Sequence, residues 1–332
     1  MKKKYSLDNI RGLAILMVVF GHSIIIYSSQ WAVFTTVNSA PLLDLLKAVI
    51  NILQMPLFFS LSGFLFYFTV KKQSFTAILK RKTFRLGIPF LVFSYCYLLP
   101  VRKIINYKGY ANCSLTEIMF KKILLGEDNG HMWYLPTLFF CSMIAAILLK
   151  INTRLFKTVT LKTYFFVLIL SGMCYISSFL INCSGYILYV FQYFFWFVLG
   201  LFMSAVNERN GKVLRESRTL KIIVCTIAVI GIVVTLLAHS YFLISTISGV
   251  FCVLAIFLTM PNKNNKILSI LSKNSFGIYL IHSPLVYLTY TYMPNAPVLF
   301  VVILNFLIFG GLALLTTVMI RKTKLRFIVG EK

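Results

Sequence analysis

Apolar residues gather in ten runs, near 12–29, 48–70, 86–101, 132–149, 163–181, 186–206, 222–238, 241–260, 276–293 and 297–320. About 20 mostly apolar residues cross a bilayer's hydrocarbon as a helix, and most of these runs reach or approach that length. The third is short and holds Pro89 and Pro100. Helices in a membrane bundle tolerate such breaks, because neighbours satisfy the freed backbone groups. The pattern predicts an all-α polytopic membrane protein of about ten transmembrane helices. It is expected to be a single domain over 1–332 with no appended soluble domain.

Composition agrees with the pattern. Of 332 residues, 59% are hydrophobic and 12% charged, against about 45–50% and about 25% in soluble domains. Disorder, a secreted disulfide scaffold and a soluble enzyme are excluded. Lys and Arg number 33 against 8 Asp and Glu, a formal charge of +25. In a soluble chain that excess would suggest nucleic acid. In a polytopic one it marks cytoplasmic loops, so no nucleic-acid partner is expected. With the N-terminus inside, 27 of the 33 basic residues fall on the cytoplasmic side. Only Lys47, Arg102, Lys103, Lys108, Lys121 and Lys122 then lie outside, which predicts that both termini are cytoplasmic. The seven cysteines form no C-x-x-C pair and read as small packing residues, with no metal expected. No small-residue cleavage motif follows the first run, so no cleavable leader is expected.

Ionisable groups inside apolar runs are costly and mark function by default. The first run carries Asp8, Arg11 and His22. Arg11 and His22 are eleven residues apart, about 1100° of helical rotation, so they share a face with a rise of about 16 Å between them. Asp8 can pair with Arg11 at i+3. The run over 12–29 puts His22 near mid-depth, where a neutral imidazole can take a hydroxyl proton near pH 7. In the second run Ser62 and Gly63 fall near mid-depth. Gly63 permits close helix approach, or leaves room for a narrow ligand. The cations from Lys80 to Arg85 either orient the loop or recognise a polyphosphate. Trp133 and Tyr134 stand where interfacial anchors usually stand, with His131 expected in water. Tyr279 and His282 share a helix face at i, i+3. His239, in a short outer turn, has no assigned role.

Together these segments resemble the acyltransferase-3 family of integral membrane acyltransferases, which modify sugars of bacterial surface polysaccharides. The resemblance rests on Leu7-Asp8-x-Ile10-Arg11-Gly12 with His22, on Phe58-Phe59-x-x-Ser62-Gly63-Phe64, on His131-Met132-Trp133-Tyr134-Leu135 and on Ser275-x-Gly277-Ile278-Tyr279-Leu280-Ile281-His282. It implies an acyl-CoA donor, usually acetyl-CoA, used from the cytoplasmic side of the bacterial inner membrane. The implied acceptor is a sugar hydroxyl of a surface glycan or its lipid-linked precursor, as in O-antigen or capsule O-acetylation. His22 would be the catalytic histidine and Arg11 its cationic partner. The family's Arg-x-x-Arg loop motif appears here as Lys82-Thr83-Phe84-Arg85 beside Arg81, so Arg11, Arg81, Lys82 and Arg85 would hold the donor's phosphates. Asp8, Ser62, Gly63, Trp133, Tyr279 and His282 would line the substrate pocket. The lipid bilayer is the expected surrounding, and a homo-oligomer is compatible with such a chain. Two other readings fit the same residues: a transporter or flippase of a sugar or lipid-linked glycan, and an acyltransferase for a lipid or small molecule.

Overall fold

A computed structural model describes residues 5–29, 40–156, 159–181, 184–237 and 242–331. Cys183 and His239 lie outside the described residues. Every regular element among the described residues is helical. The main helices are α1 (Tyr5–Ser23), α2 (Pro41–Lys72), α3 (Phe75–Ile104), α4 (Tyr134–Phe156), α5 (Leu161–Ser177), α6 (Gly185–Glu216), α7 (Arg218–Leu237), α8 (Phe242–Thr259), α9 (Lys266–Tyr292) and α10 (Val298–Arg321). Seven helical stretches among the described residues are long and apolar enough to cross a membrane, and α5 is apolar but only 17 residues long. The two remaining helices, α1 and α9, are absent from that set because polar residues interrupt them: Asp8, Asn9, Arg11 and His22 in one, Lys273, Asn274 and His282 in the other.

The first run is displaced from its expected position. It forms a helix over Tyr5–Ser23 and then a single tight turn, Ile25–Tyr27. His22 therefore stands in the last turn of α1. The third run is longer than expected, with a continuous helical path of 30 residues. Its two prolines explain how. A wide π-turn over Thr83–Gly87 precedes Pro89, and a second over Ser94–Leu98 precedes Pro100. Proline lacks an N–H and crowds the carbonyl four residues back, and a π-turn opens the helix at that point.

The chain divides into two compact units. The first gathers residues up to Leu57, Val101–Gly109 and Leu214–Val329. Within it α1 lies along α9. Gly12 meets the backbone carbonyl of Leu268, an approach that only a residue without Cβ permits. The Asn9 amide donates to the carbonyls of Pro261 and Lys263, each at 3.0 Å. Asn262 Oδ1 accepts from the Ser6 N–H at 3.1 Å, which satisfies one of the donors that the first turn of α1 leaves open. Arg321 closes the same end of α9 on the Lys273 carbonyl and Asn274 Oδ1.

The second unit holds Phe58–Pro100 and Tyr110–Val213. Its centre is a crossing of α2 and α6 at backbone contact: Gly63 abuts the Phe197 carbonyl and Gly200 abuts the Ser60 carbonyl. The Ser60 hydroxyl adds a hydrogen bond to the Trp196 carbonyl at 3.0 Å. The space beside Gly63 is thus filled by α6 backbone, which makes this a packing glycine and leaves no ligand passage there.

Candidate active site

In the first unit, docking α1 on α9 brings two histidines together. His22 Nδ1 and His282 Nε2 are 2.9 Å apart, with the ring centroids at 4.9 Å. The other nitrogen of His282, Nδ1, lies 2.9 Å from the carbonyl oxygens of both Ile278 and Tyr279. A carbonyl oxygen only accepts, so His282 Nδ1 carries the proton and donates to both. In the neutral pair the lone pair of His282 is then on Nε2, and His22 Nδ1–H donates to it. The lone pair of His22 is by elimination on Nε2. Two backbone carbonyls thereby fix the tautomer of the neutral pair.

The surroundings hold this geometry. His282 is buried among α9 neighbours, and the Tyr279 ring lies 6.1 Å from it, centroid to centroid. At the end of α1 the Ser23 hydroxyl donates to the Val19 carbonyl at 2.7 Å. Asn305, buried in α10, donates to the Ser23 carbonyl at 3.5 Å and accepts from the Thr289 hydroxyl at 3.0 Å. Asn305 thus ties the end of α1 to α9 about two turns beyond His282.

The sequence-predicted residues divide between the units. The first contains Asp8, Arg11, His22, Tyr279 and His282; the second contains Ser62, Gly63, Arg81, Lys82, Arg85 and Trp133. Asp8 accepts from the Ser272 hydroxyl of α9 at 3.4 Å. Much of the Leu-Asp-Asn-x-Arg-Gly segment is therefore architectural, since Asp8, Asn9 and Gly12 all seat α1.

In the second unit Trp133 is half-buried in a group of aromatic rings. Its centroid lies 4.7 Å from Tyr189, 4.8 Å from Tyr193 and 6.2 Å from Phe59, the last stacked at 19°. Ser62 Oγ is 3.2 Å from the Tyr134 hydroxyl. His131, expected in water, is buried at 5% exposure within the tight turn Gly130–Trp133. Arg81 donates to the Thr69 hydroxyl at 3.0 Å, and the Lys82 ammonium sits 5.2 Å over the Phe66 ring. Arg85 lies in the π-turn and is exposed. Lys71 pairs with Glu208 at 2.8 Å, and Tyr67 also hydrogen-bonds that carboxylate.

Two of the cations counted on the outer side are buried within the protein. Arg102 is buried at 1% exposure, with its guanidinium 4.1 Å over the Tyr107 ring and 3.3 Å from the Tyr287 hydroxyl. Lys47 lies within α2 and is buried at 2%. The available signal was spacing: Lys47 and Gln54 are seven residues apart and share one helix face. Among the described residues no group of three or more His, Cys, Asp or Glu side chains is arranged to hold a metal ion.

The acyltransferase-3 family model, described as an acyltransferase domain, matches residues 4–322. No curated protein and no solved structure matches the chain significantly.

Proposed function

Because the chain belongs to the acyltransferase-3 family, we propose that this membrane acyltransferase moves an acetyl group from acetyl-CoA to a hydroxyl of a cell-surface glycan or its lipid-linked precursor, in the bacterial cytoplasmic membrane. The observation that carries the reading is the His22–His282 contact, with its proton order set by the Ile278 and Tyr279 carbonyls.

The donor contributes an acyl thioester. His22 Nε2 takes the proton of the acceptor hydroxyl as the hydroxyl oxygen bonds to the acyl carbon. The carbon–sulfur bond breaks, and the proton passes from His22 to the departing sulfur. His282 holds the His22 ring in the required tautomer and accepts its Nδ1–H throughout. Arg11, Arg81, Lys82 and Arg85 suit the donor's phosphates, which cationic and forked donors recognise. Of these, Arg81 and Lys82 are already oriented, by Thr69 and by the Phe66 ring. The aromatic platform of Trp133, Tyr189 and Tyr193 offers flat faces of the kind on which a sugar ring rests.

The test is NMR of surface polysaccharide purified from cells carrying the intact protein and from cells carrying His22→Ala. Ester signals are expected to fall by at least about 100-fold, within the range of lost general-base catalysis. Ester signals that persist unchanged would refute the role of His22. Radiolabelled acetyl-CoA supplied to isolated membranes should leave label in a glycan product; label confined to the donor would refute acyl transfer itself.

A further inference from the structure

α10 meets the end of α1 through a turn of unusual width. Leu304–Phe309 is a π-turn, and Asn305 is its one polar side chain. The buried residues along α10 include Val301, Asn305, Ala313 and Thr317. Asn305 and Ala313 are eight positions apart, which in an uninterrupted α-helix is about 800°, or about 80° beyond two full turns. The wider turn takes up that surplus, so both face inward at no more than 2% exposure. The same stretch packs on the end of α1. The Phe306 ring meets the Phe20 ring edge-on, with centroids 5.3 Å apart, and Gly310 sits against the Val19 side chain.

A buried amide is costly unless both of its ends are met. Here they are met by the two helices that carry the histidines. Asn305 Nδ2 donates to the carbonyl of Ser23, the residue after His22, and this is one of the carbonyls that a helix end leaves open. Asn305 Oδ1 accepts from the hydroxyl of Thr289, about two turns beyond His282 on α9. Leucine would fill the same space but could hold neither helix. The amide and the 2.9 Å contact between His22 and His282 therefore bridge the same pair of helices, and a slide of α1 along α9 would break both. We propose that Asn305 is a positioning residue of acyl transfer: it fixes the axial position of the last turn of α1 and so keeps His22 Nδ1 within reach of His282 Nε2. It acts through the main chain of α1 and takes no part in the bond changes. This inference rests on the acyltransferase reading above and adds a residue to it.

The experiment uses isolated membranes containing the full chain and their own glycan, with radiolabelled acetyl-CoA as the varied substrate. Asn305→Leu should lower kcat about 10-fold, as a displaced catalytic group does, and leave the KM for acetyl-CoA within about 2-fold. An unchanged kcat, with or without a raised donor KM, would overturn the proposal. A cycle with His282→Ala separates positioning from general damage. Because Asn305 acts through the histidine pair, the double variant should stay within about 2-fold of His282→Ala alone. Independent losses multiply, so any further loss beyond about 2-fold would overturn the proposal as well. Should Asn305→Leu fail to accumulate in membranes, Thr289→Val takes its place in the same cycle. It keeps the side-chain shape, removes the donor to Asn305 Oδ1 and should lower kcat about 5-fold, again within about 2-fold of His282→Ala when the two are combined. In each of these failures the intact protein still labels glycan; if it labels none, the acyltransferase reading falls too.

Discussion

Two helix pairs of the first unit show how a membrane protein separates its chemistry from its solvent. α7 and α8 are among its most apolar helices, yet only 11% and 28% of their apolar windows are buried inside the protein. Their outward side chains, such as Ile223, Val229, Ile230 and Leu237, are half or more exposed. α1 and α9 are the reverse: they are interrupted by polar residues, and α9 is buried almost continuously from Ser272 to Thr289. Lipid accepts an apolar surface without penalty but charges several kcal/mol for a bare polar group. A helix that carries histidine, asparagine and aspartate must therefore be wrapped by others. The apolar helices supply the wrapping and the polar ones supply the chemistry.

This comparison can be broken most directly at His282. His282→Ala removes the acceptor that fixes the tautomer of His22, and kcat for acetyl transfer should fall about 10–100-fold, short of the loss caused by removing the base itself. As a positioning change it should leave the KM for the donor nearly unaltered; a raised donor KM with unchanged kcat would contradict the assignment. A second break is Gly12→Val, which forces a side chain into the Leu268 backbone. It should cost about 1–3 kcal/mol of stability by overpacking and lower transfer as well, because the histidines meet only when α1 is fully seated. Thermal unfolding of the purified protein together with the polysaccharide ester content measures both effects. The mildest change sharpens the contrast: Ile230→Ala, on the lipid-facing side of α7, should keep transfer within about 2-fold and alter Tm little.

The sequence made the helical, multi-pass character and the two histidines, each taken singly, legible through simple signals: long apolar runs, and isolated ionisable residues within them. Boundaries were less legible where polar residues belong to a helix. The first helix begins at Tyr5, seven residues before its apolar run, because Ser6, Asp8 and Asn9 are bonded to neighbouring elements and not to water. The path through Pro89 and Pro100 was hidden for another reason, since widened turns leave no mark in hydropathy. The burial of Lys47 and Arg102 left no mark in the sequence, because positive charge near a helix end ordinarily reports topology. Burial distinguishes such residues from loop cations, and burial depends on partners far away in the chain. The His22–His282 contact spans 260 positions, a separation that no local pattern reveals.

The clamp on His282 has one more consequence. Its two acceptors are main-chain oxygens of Ile278 and Tyr279, groups that every amino acid shares. The direction of the hydrogen bond between the two imidazoles is thus insensitive to which side chains occupy those two positions, so the local sequence can drift while the His22 lone pair stays on Nε2. Reversing that direction would require unwinding the helix, a far rarer event than replacing a residue.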